Sequence, residues 1–118
     1  MRILLADNRP KVRFALRALL ERQPEMKVVG EAMDAKGLLA EAKEACPDVV
    51  LLDWELPGLV PVDLVSALRE MCPGVAVIAL SGRVGARQVA LAAGVDAFVS
   101  KGEPPERLLA AIDCCEYK

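Results

Sequence analysis

Apolar positions fall along this chain in two alternating rhythms. Short unbroken runs, Ile3-Leu4-Leu5-Ala6, Val49-Val50-Leu51-Leu52 and "VAVIAL" over 75–80, are bounded by turn-forming residues. They read as strands buried on both faces. Between them lie longer stretches with apolar residues three and four apart, as at Val12, Ala15, Leu16 and Leu19. These read as helices with one apolar face. The predicted order is strand 2–6, helix 11–22, strand 26–31, helix 35–45, strand 49–52, helix 61–71, strand 75–80, helix 84–93, strand 96–99 and helix 104–116. Punctuation residues agree with it. Asp34 suits an N-cap, Pro61 a first helical turn, and Gly94 the end of a helix. Pro104-Pro105 opens the last helix, whose apolar face carries Leu108, Leu109 and Ile112.

Strict alternation implies an α/β fold: a doubly wound five-stranded parallel sheet with helices on both faces and right-handed crossovers. No linker or break in composition divides residues 1–118, so one domain is expected. "ACPDVVLLD" and "MCPGVAVIAL" echo each other, which we read as repeated α/β construction and not as a true repeat.

Composition narrows the function. Of 118 residues, 54% are hydrophobic, enough for one well-buried core. A net charge of −2 gives no general attraction to nucleic acid, and 3% aromatic residues offer no base-stacking platform. No apolar run reaches membrane-spanning length and no signal peptide opens the chain, so a cytoplasmic location is expected. The four cysteines lack Cys-x-x-Cys spacing and there is no histidine, which disfavours a zinc site or a disulfide framework. Cys46 and Cys72 each end a helical pattern before a proline and read as reduced, partly buried thiols.

In an open parallel sheet, ligands bind beyond the carboxyl ends of the strands. Here the apolar strands deliver Asp7-Asn8, Asp53, Ser81 and Ser100-Lys101 to that edge. Each has a plainer reading alone: a strand-end Asp as turn former, Ser81-Gly82 as loop, Lys101 as a solvated charge, Phe98 as core. Together they make a site. Two carboxylates without histidine or thiolate suit a hard cation, most simply Mg²⁺. A carboxylate can also attack phosphorus, with a lysine and a metal supplying charge.

On these residues the chain resembles the receiver (CheY-like) domain of bacterial two-component response regulators, over essentially its full length. Its ending "KGEPPERLLAAI" is similar to receivers that carry a LuxR-type helix-turn-helix. The resemblance implies a flavodoxin-like strand order 2-1-3-4-5. It implies Asp53 as phosphoacceptor, Ser81 and Lys101 as the groups that engage the phosphoryl oxygens, and Phe98 as the aromatic switch. Mg²⁺ would be held by Asp7, Asn8, Asp53 and the backbone carbonyl of Glu55. The domain would be a signalling module and not an enzyme. Its expected partners are a sensor histidine kinase, a second copy of the chain, and a DNA-binding effector domain outside this chain, with no nucleic acid bound directly.

Three departures stand out. Asn8 occupies a position where the family usually has a second acid. Removing one charge costs metal affinity: two unit charges 4 Å apart interact by about 4 kcal/mol at an effective dielectric of 20. The Glu55 side chain is free to return that charge, to pair with Arg83 across the mouth, or to stay solvated. Leu59-Val60-Pro61-Val62 offers apolar side chains that either form a partner surface or pack down. The alternative function is a pseudo-receiver, a phosphorylation-independent protein–protein module. Asn8 favours it; intact Asp53, Ser81 and Lys101 oppose it. A flavodoxin-like nucleotide or flavin binder is disfavoured, because no Gly-rich loop follows the first strand.

Overall fold

The computed structural model describes residues 1–116; Tyr117 and Lys118, at the end of "CCEYK", lie outside the described residues. The elements are β1 (Arg2–Ala6), α1 (Pro10–Glu21), β2 (Lys27–Ala32), α2 (Ala35–Ala45), β3 (Val49–Asp53), α3 (Pro61–Met71), β4 (Ala76–Ser81), α4 (Ala86–Ala92), β5 (Ala97–Ser100) and α5 (Pro105–Glu116). All neighbouring strands are parallel, in the order β2-β1-β3-β4-β5. This is the doubly wound α/β sheet expected from the alternation.

Side chains along a strand alternate between faces, and the core divides accordingly. Leu4, Ala6, Val50, Leu52, Val77 and Ala79 pack with Leu38 and Ala42 of α2, Leu64 and Leu68 of α3, and Ala86 and Ala90 of α4. Ile3, Leu5, Val49, Leu51, Ile78 and Leu80 pack on the other face with Leu20 of α1 and Leu108 and Ile112 of α5. A strand covered on both faces has no polar positions to offer until it ends, which is why the strand runs are unbroken in hydropathy.

The caps follow local chemistry. The Asp34 carboxylate accepts the Gly37 N–H at 2.7 Å, Pro61 occupies the first turn of α3, and Gly94 takes φ 97° after α4. Two expectations shift. α4 begins at Ala86, not at 84, because Gly85 takes φ 89° and only then releases the chain into the helix. On α1 the fully buried residue is Leu20; Val12, Leu16 and Leu19 are half-buried and Ala15 is exposed. The α1 stripe lines a groove shared with Pro104 and Leu108 at the start of α5, so it is only partly sealed against the sheet.

Gly58 takes φ 122°, and a Cβ there would lie 2.7 Å from the Ala35 Cβ. The Ala35 N–H donates to Pro57 O at 2.8 Å. The loop after β3 is thereby seated on the first turn of α2, which fixes one wall of the strand-end edge.

Candidate functional site

β3 and β4 run one residue further than their apolar stretches, so Asp53 and Ser81 are themselves the last residues of strands. Backbone bonds hold the edge together. Asp7 N–H donates to Ala32 O at 3.0 Å, Trp54 N–H to Leu80 O at 2.8 Å, and Lys101 N–H to Ser81 O at 3.0 Å. Asp7, Asp53 and Ser81 are buried, at 1%, 2% and 1% exposure, and the chain has no other buried polar or charged residue among those described. Three polar groups kept dry at one edge of an otherwise apolar sheet cost stability unless partnered, and each is partnered.

Lys101 supplies the charge. Its Nζ lies 3.0 Å from Asp7 Oδ2 and 3.1 Å from Asp53 Oδ1. One ammonium thus bridges two buried carboxylates. Asp53 Oδ1 also accepts the Glu55 N–H at 3.1 Å. Asp7 Oδ1 accepts the Arg9 N–H at 2.8 Å and lies 3.5 Å from Arg9 Nε, and Arg13 donates to the Asp7 carbonyl at 2.6 Å. Taken alone Lys101 reads as a solvated charge; its backbone lies in the turn after β5, but the side chain reaches inward and is only 21% exposed.

Glu55 does not pair with Arg83. Its carboxylate accepts the Ser81 hydroxyl, at 2.9 Å to Oε2 and 3.1 Å to Oε1. Ser81 Oγ in turn accepts the Arg83 N–H at 3.0 Å. Asn8 is exposed at the rim. Among the described residues no three His, Cys, Asp or Glu side chains converge in the manner of metal ligands. A metal at Asp7 and Asp53 would therefore draw on neutral oxygens such as the Asn8 amide and the Glu55 carbonyl.

Phe98 is buried at 9% exposure and packs in the α2–α3–α4 core. The Arg87 guanidinium stands over its ring, 5.1 Å from the centroid, a cation–π contact. The ring is thus already inward. Trp54 is buried at 7% exposure beside the Arg83–Ala86 turn and Val89. Leu59, Val60 and Val62 do not pack down; they are 43%, 58% and 49% exposed.

Sequence reasoning found the strand-end residues because an apolar run marks where a strand stops. It missed the Glu55–Ser81 bond, the Arg9 contact to Asp7 and the Arg87 stack on Phe98. All three join residues on different loops or elements, or across a turn, where periodicity carries no signal.

Residues 3–113 match the model of the response regulator receiver domain. The nitrate/nitrite response regulator protein NarL of Escherichia coli is 32% identical over 112 residues, covering 93% of this chain and 52% of that protein. The transcriptional regulatory protein YxjL of Bacillus subtilis is 31% identical over 114 residues, covering 95% and 52%. This chain spans about half the length of these relatives. A LuxR-family two-component response regulator from Aurantimonas superposes with a TM-score of 0.87 at 32% identity, covering 96% of this chain and 82% of that one. The response regulator domain of Thermotoga maritima CheB gives 0.83 at 28% identity, covering 98% and 96%.

Proposed function

The chain belongs to the response regulator receiver family, and from that premise we propose that it accepts a phosphoryl group on Asp53 from a sensor histidine kinase and signals through Ser81 and Phe98. The observation that carries this reading is the pair of buried carboxylates bridged by one ammonium at the strand-end edge. An Asp53 oxygen attacks phosphorus of the donor's phosphohistidine. The P–N bond breaks, its electron pair leaves with the imidazole nitrogen, and an acyl phosphate forms. Such transfer needs alignment and charge neutralisation more than acid–base chemistry.

Each neighbouring side chain then has a task. Lys101 transfers one of its contacts from the carboxylates to a phosphoryl oxygen. Ser81 gives up Glu55 and donates its hydroxyl to another. With Ser81 drawn to the phosphoryl group, the population of the buried Phe98 rotamer beneath Arg87 rises, and with it one arrangement of the α4–β5–α5 face.

The donor set fits Mg²⁺, a hard cation that takes oxygen ligands. Asp7 and Asp53 would hold it, with the Asn8 amide oxygen and the Glu55 carbonyl. When bound it supplies positive charge against the phosphoryl oxygens. With one formal charge fewer at Asn8, binding is expected in the millimolar range or weaker.

No helix among the described residues is long and apolar enough to cross a membrane. An effector domain that binds DNA, in sequence outside this chain, fits the half-length match to NarL and YxjL. The test of the reading is intact mass after incubation with acetyl phosphate and Mg²⁺. One labile phosphoryl adduct is expected, absent in Asp53→Asn. An adduct that survives that substitution rejects Asp53. No adduct, with beryllofluoride also failing to bind, identifies a phosphorylation-independent module instead.

A further inference from the structure

We propose that Cys46 and Cys72 form a modification site: a thiol pair that closes to a disulfide between the ends of α2 and α3 on meeting a peroxide. Cys46 is the C-cap of α2 and Cys72 the C-cap of α3. The Cys46 N–H donates to Ala42 O at 2.9 Å, and the Cys72 thiol donates to the same carbonyl at 3.6 Å. The two cysteines therefore converge on one carbonyl oxygen of α2, which brings the end of α3 up against the end of α2.

Nothing in helix capping asks for cysteine here. Cys46 takes φ 44°, the only positive φ at a non-glycine residue among those described. Glycine is the ordinary choice for that conformation. The pair also divides its labour. Cys46 is exposed and meets the oxidant; Cys72 is buried. Burial, and then the neighbouring Cys46, push the Cys72 thiol above its ordinary value, so Cys46 is the sulfur that reacts first.

The Cys46 thiolate attacks one oxygen of hydrogen peroxide. The O–O bond breaks, hydroxide leaves and takes a proton to become water, and Cys46 becomes a sulfenic acid. Cys72 then loses its proton and its sulfur attacks the Cys46 sulfur. The S–O bond breaks, and the second hydroxide leaves as water. Two thiols and one peroxide give one disulfide and two waters; the two electrons come from sulfur and reduce the peroxide.

The closed loop runs from Cys46 to Cys72 and contains β3, Asp53 and all of α3. The start of α2 is already tied to the loop that leads into α3, through Ala35 N–H and Pro57 O at 2.8 Å. A disulfide would pin the free ends and restrict the unfolded chain, so closure is expected to raise Tm by roughly 5–15 °C.

The experiment is a non-reducing tryptic map of the full chain treated with hydrogen peroxide, its remaining thiols then alkylated. Peptide 44–69 carries Cys46 and peptide 70–83 carries Cys72. The proposal expects these two joined, lighter than their sum by two hydrogen atoms, separated again by dithiothreitol, with Tm raised before reduction. Cys46→Ser, a change at an exposed residue, should abolish both the link and the Tm rise. Cys72 remaining alkylatable while Cys46 accumulates as a sulfinic acid would overturn the proposal. So would a link formed with a lower Tm, because the two sulfurs would then not be in position in the folded chain.

Discussion

Lys101 holds together two carboxylates that would otherwise repel each other out of water. Asp7 and Asp53 are both almost fully buried, and the ammonium lies about equally close to each. Removing it leaves Asp53 without a counter-charge and Asp7 with only the Arg9 guanidinium at 3.5 Å, which is the costly way to break a buried ion pair. Lys101→Ala should therefore lower unfolding stability by roughly 2 kcal/mol without metal. Mg²⁺ should recover more of that loss in the variant than it adds to wild type, because it binds the folded state and replaces the missing charge. Urea melts with and without Mg²⁺ measure this; equal Mg²⁺ effects in both proteins would show that metal and lysine do not share the carboxylates. Glu55 makes a different demand. Its carboxylate occupies the hydroxyl that Ser81 would give to a phosphoryl oxygen. Glu55→Gln should shift the beryllofluoride midpoint several-fold lower, read by Trp54 fluorescence, and that gain should vanish in a Ser81→Ala background. A gain that persists there would come from the overall charge and not from the bond. The acids, Ser81 and Lys101 were legible from sequence because apolar strands announce their own ends. The Glu55–Ser81 contact was not, since a rotamer chosen across two loops leaves no trace in spacing.

Elements are joined in this fold by a few polar clasps over the apolar core. Glu31 of β2 accepts Arg13 Nε at 3.0 Å and Arg17 Nε at 2.7 Å, both from α1. Burial alone would raise the Glu31 carboxyl, but the hydrogen bonds from Arg17 and Arg13 bring it below its ordinary value of 4.5. A depressed carboxyl stabilises the fold fully above that ordinary value, and the contribution is lost as pH falls through the lower folded value. Glu31→Gln should thus cost about 1 kcal/mol or less at pH 7, given partial exposure of the clasp. The difference from wild type should shrink toward zero as pH falls below 4.5 and through the lower folded value. Urea midpoints at neutral and acid pH test it, and a constant difference would mean that charge is not what Glu31 contributes. Gly58 is a steric clasp. At φ 122° against Ala35, Gly58→Ala should lower stability by roughly 2 kcal/mol through backbone strain and the clash. Restoring space by Ala35→Gly should not rescue it fully, because the strained φ remains. Element order and type were readable from hydropathy, since two-sided burial forces unbroken strand runs. The start of α4 and the buried face of α1 were not. The first depends on the φ of Gly85, and the second on where α5 lies, which is a tertiary fact.

The whole molecule couples its site to its stability, because the buried charges that make the site are also the groups the fold must tolerate. Strand order puts β1 and β3 side by side, and so brings Asp7 and Asp53 to one ammonium. Adding a third acid tips that balance. Asn8→Asp places another negative charge beside Asp7, which one lysine must then share. Without metal the variant should be less stable than wild type, by like-charge repulsion. With metal the order should reverse or close, because a cation binding only the folded state contributes RT ln(1 + [L]/Kd) and the variant's Kd is lower. The expected result is a Mg²⁺ midpoint at least several-fold lower for Asn8→Asp, followed by emission of Trp54. That residue is buried against the Arg83–Ala86 turn and directly follows Asp53. Its Tm should also rise more steeply with Mg²⁺ than that of wild type. If the midpoint stays put, either Asn8 is not at the metal or Glu55 already supplies the charge. Glu55→Gln in the wild-type background decides between these. Only the second predicts that Mg²⁺ binding weakens sharply, and it would require the carboxylate to leave the Ser81 hydroxyl it now holds.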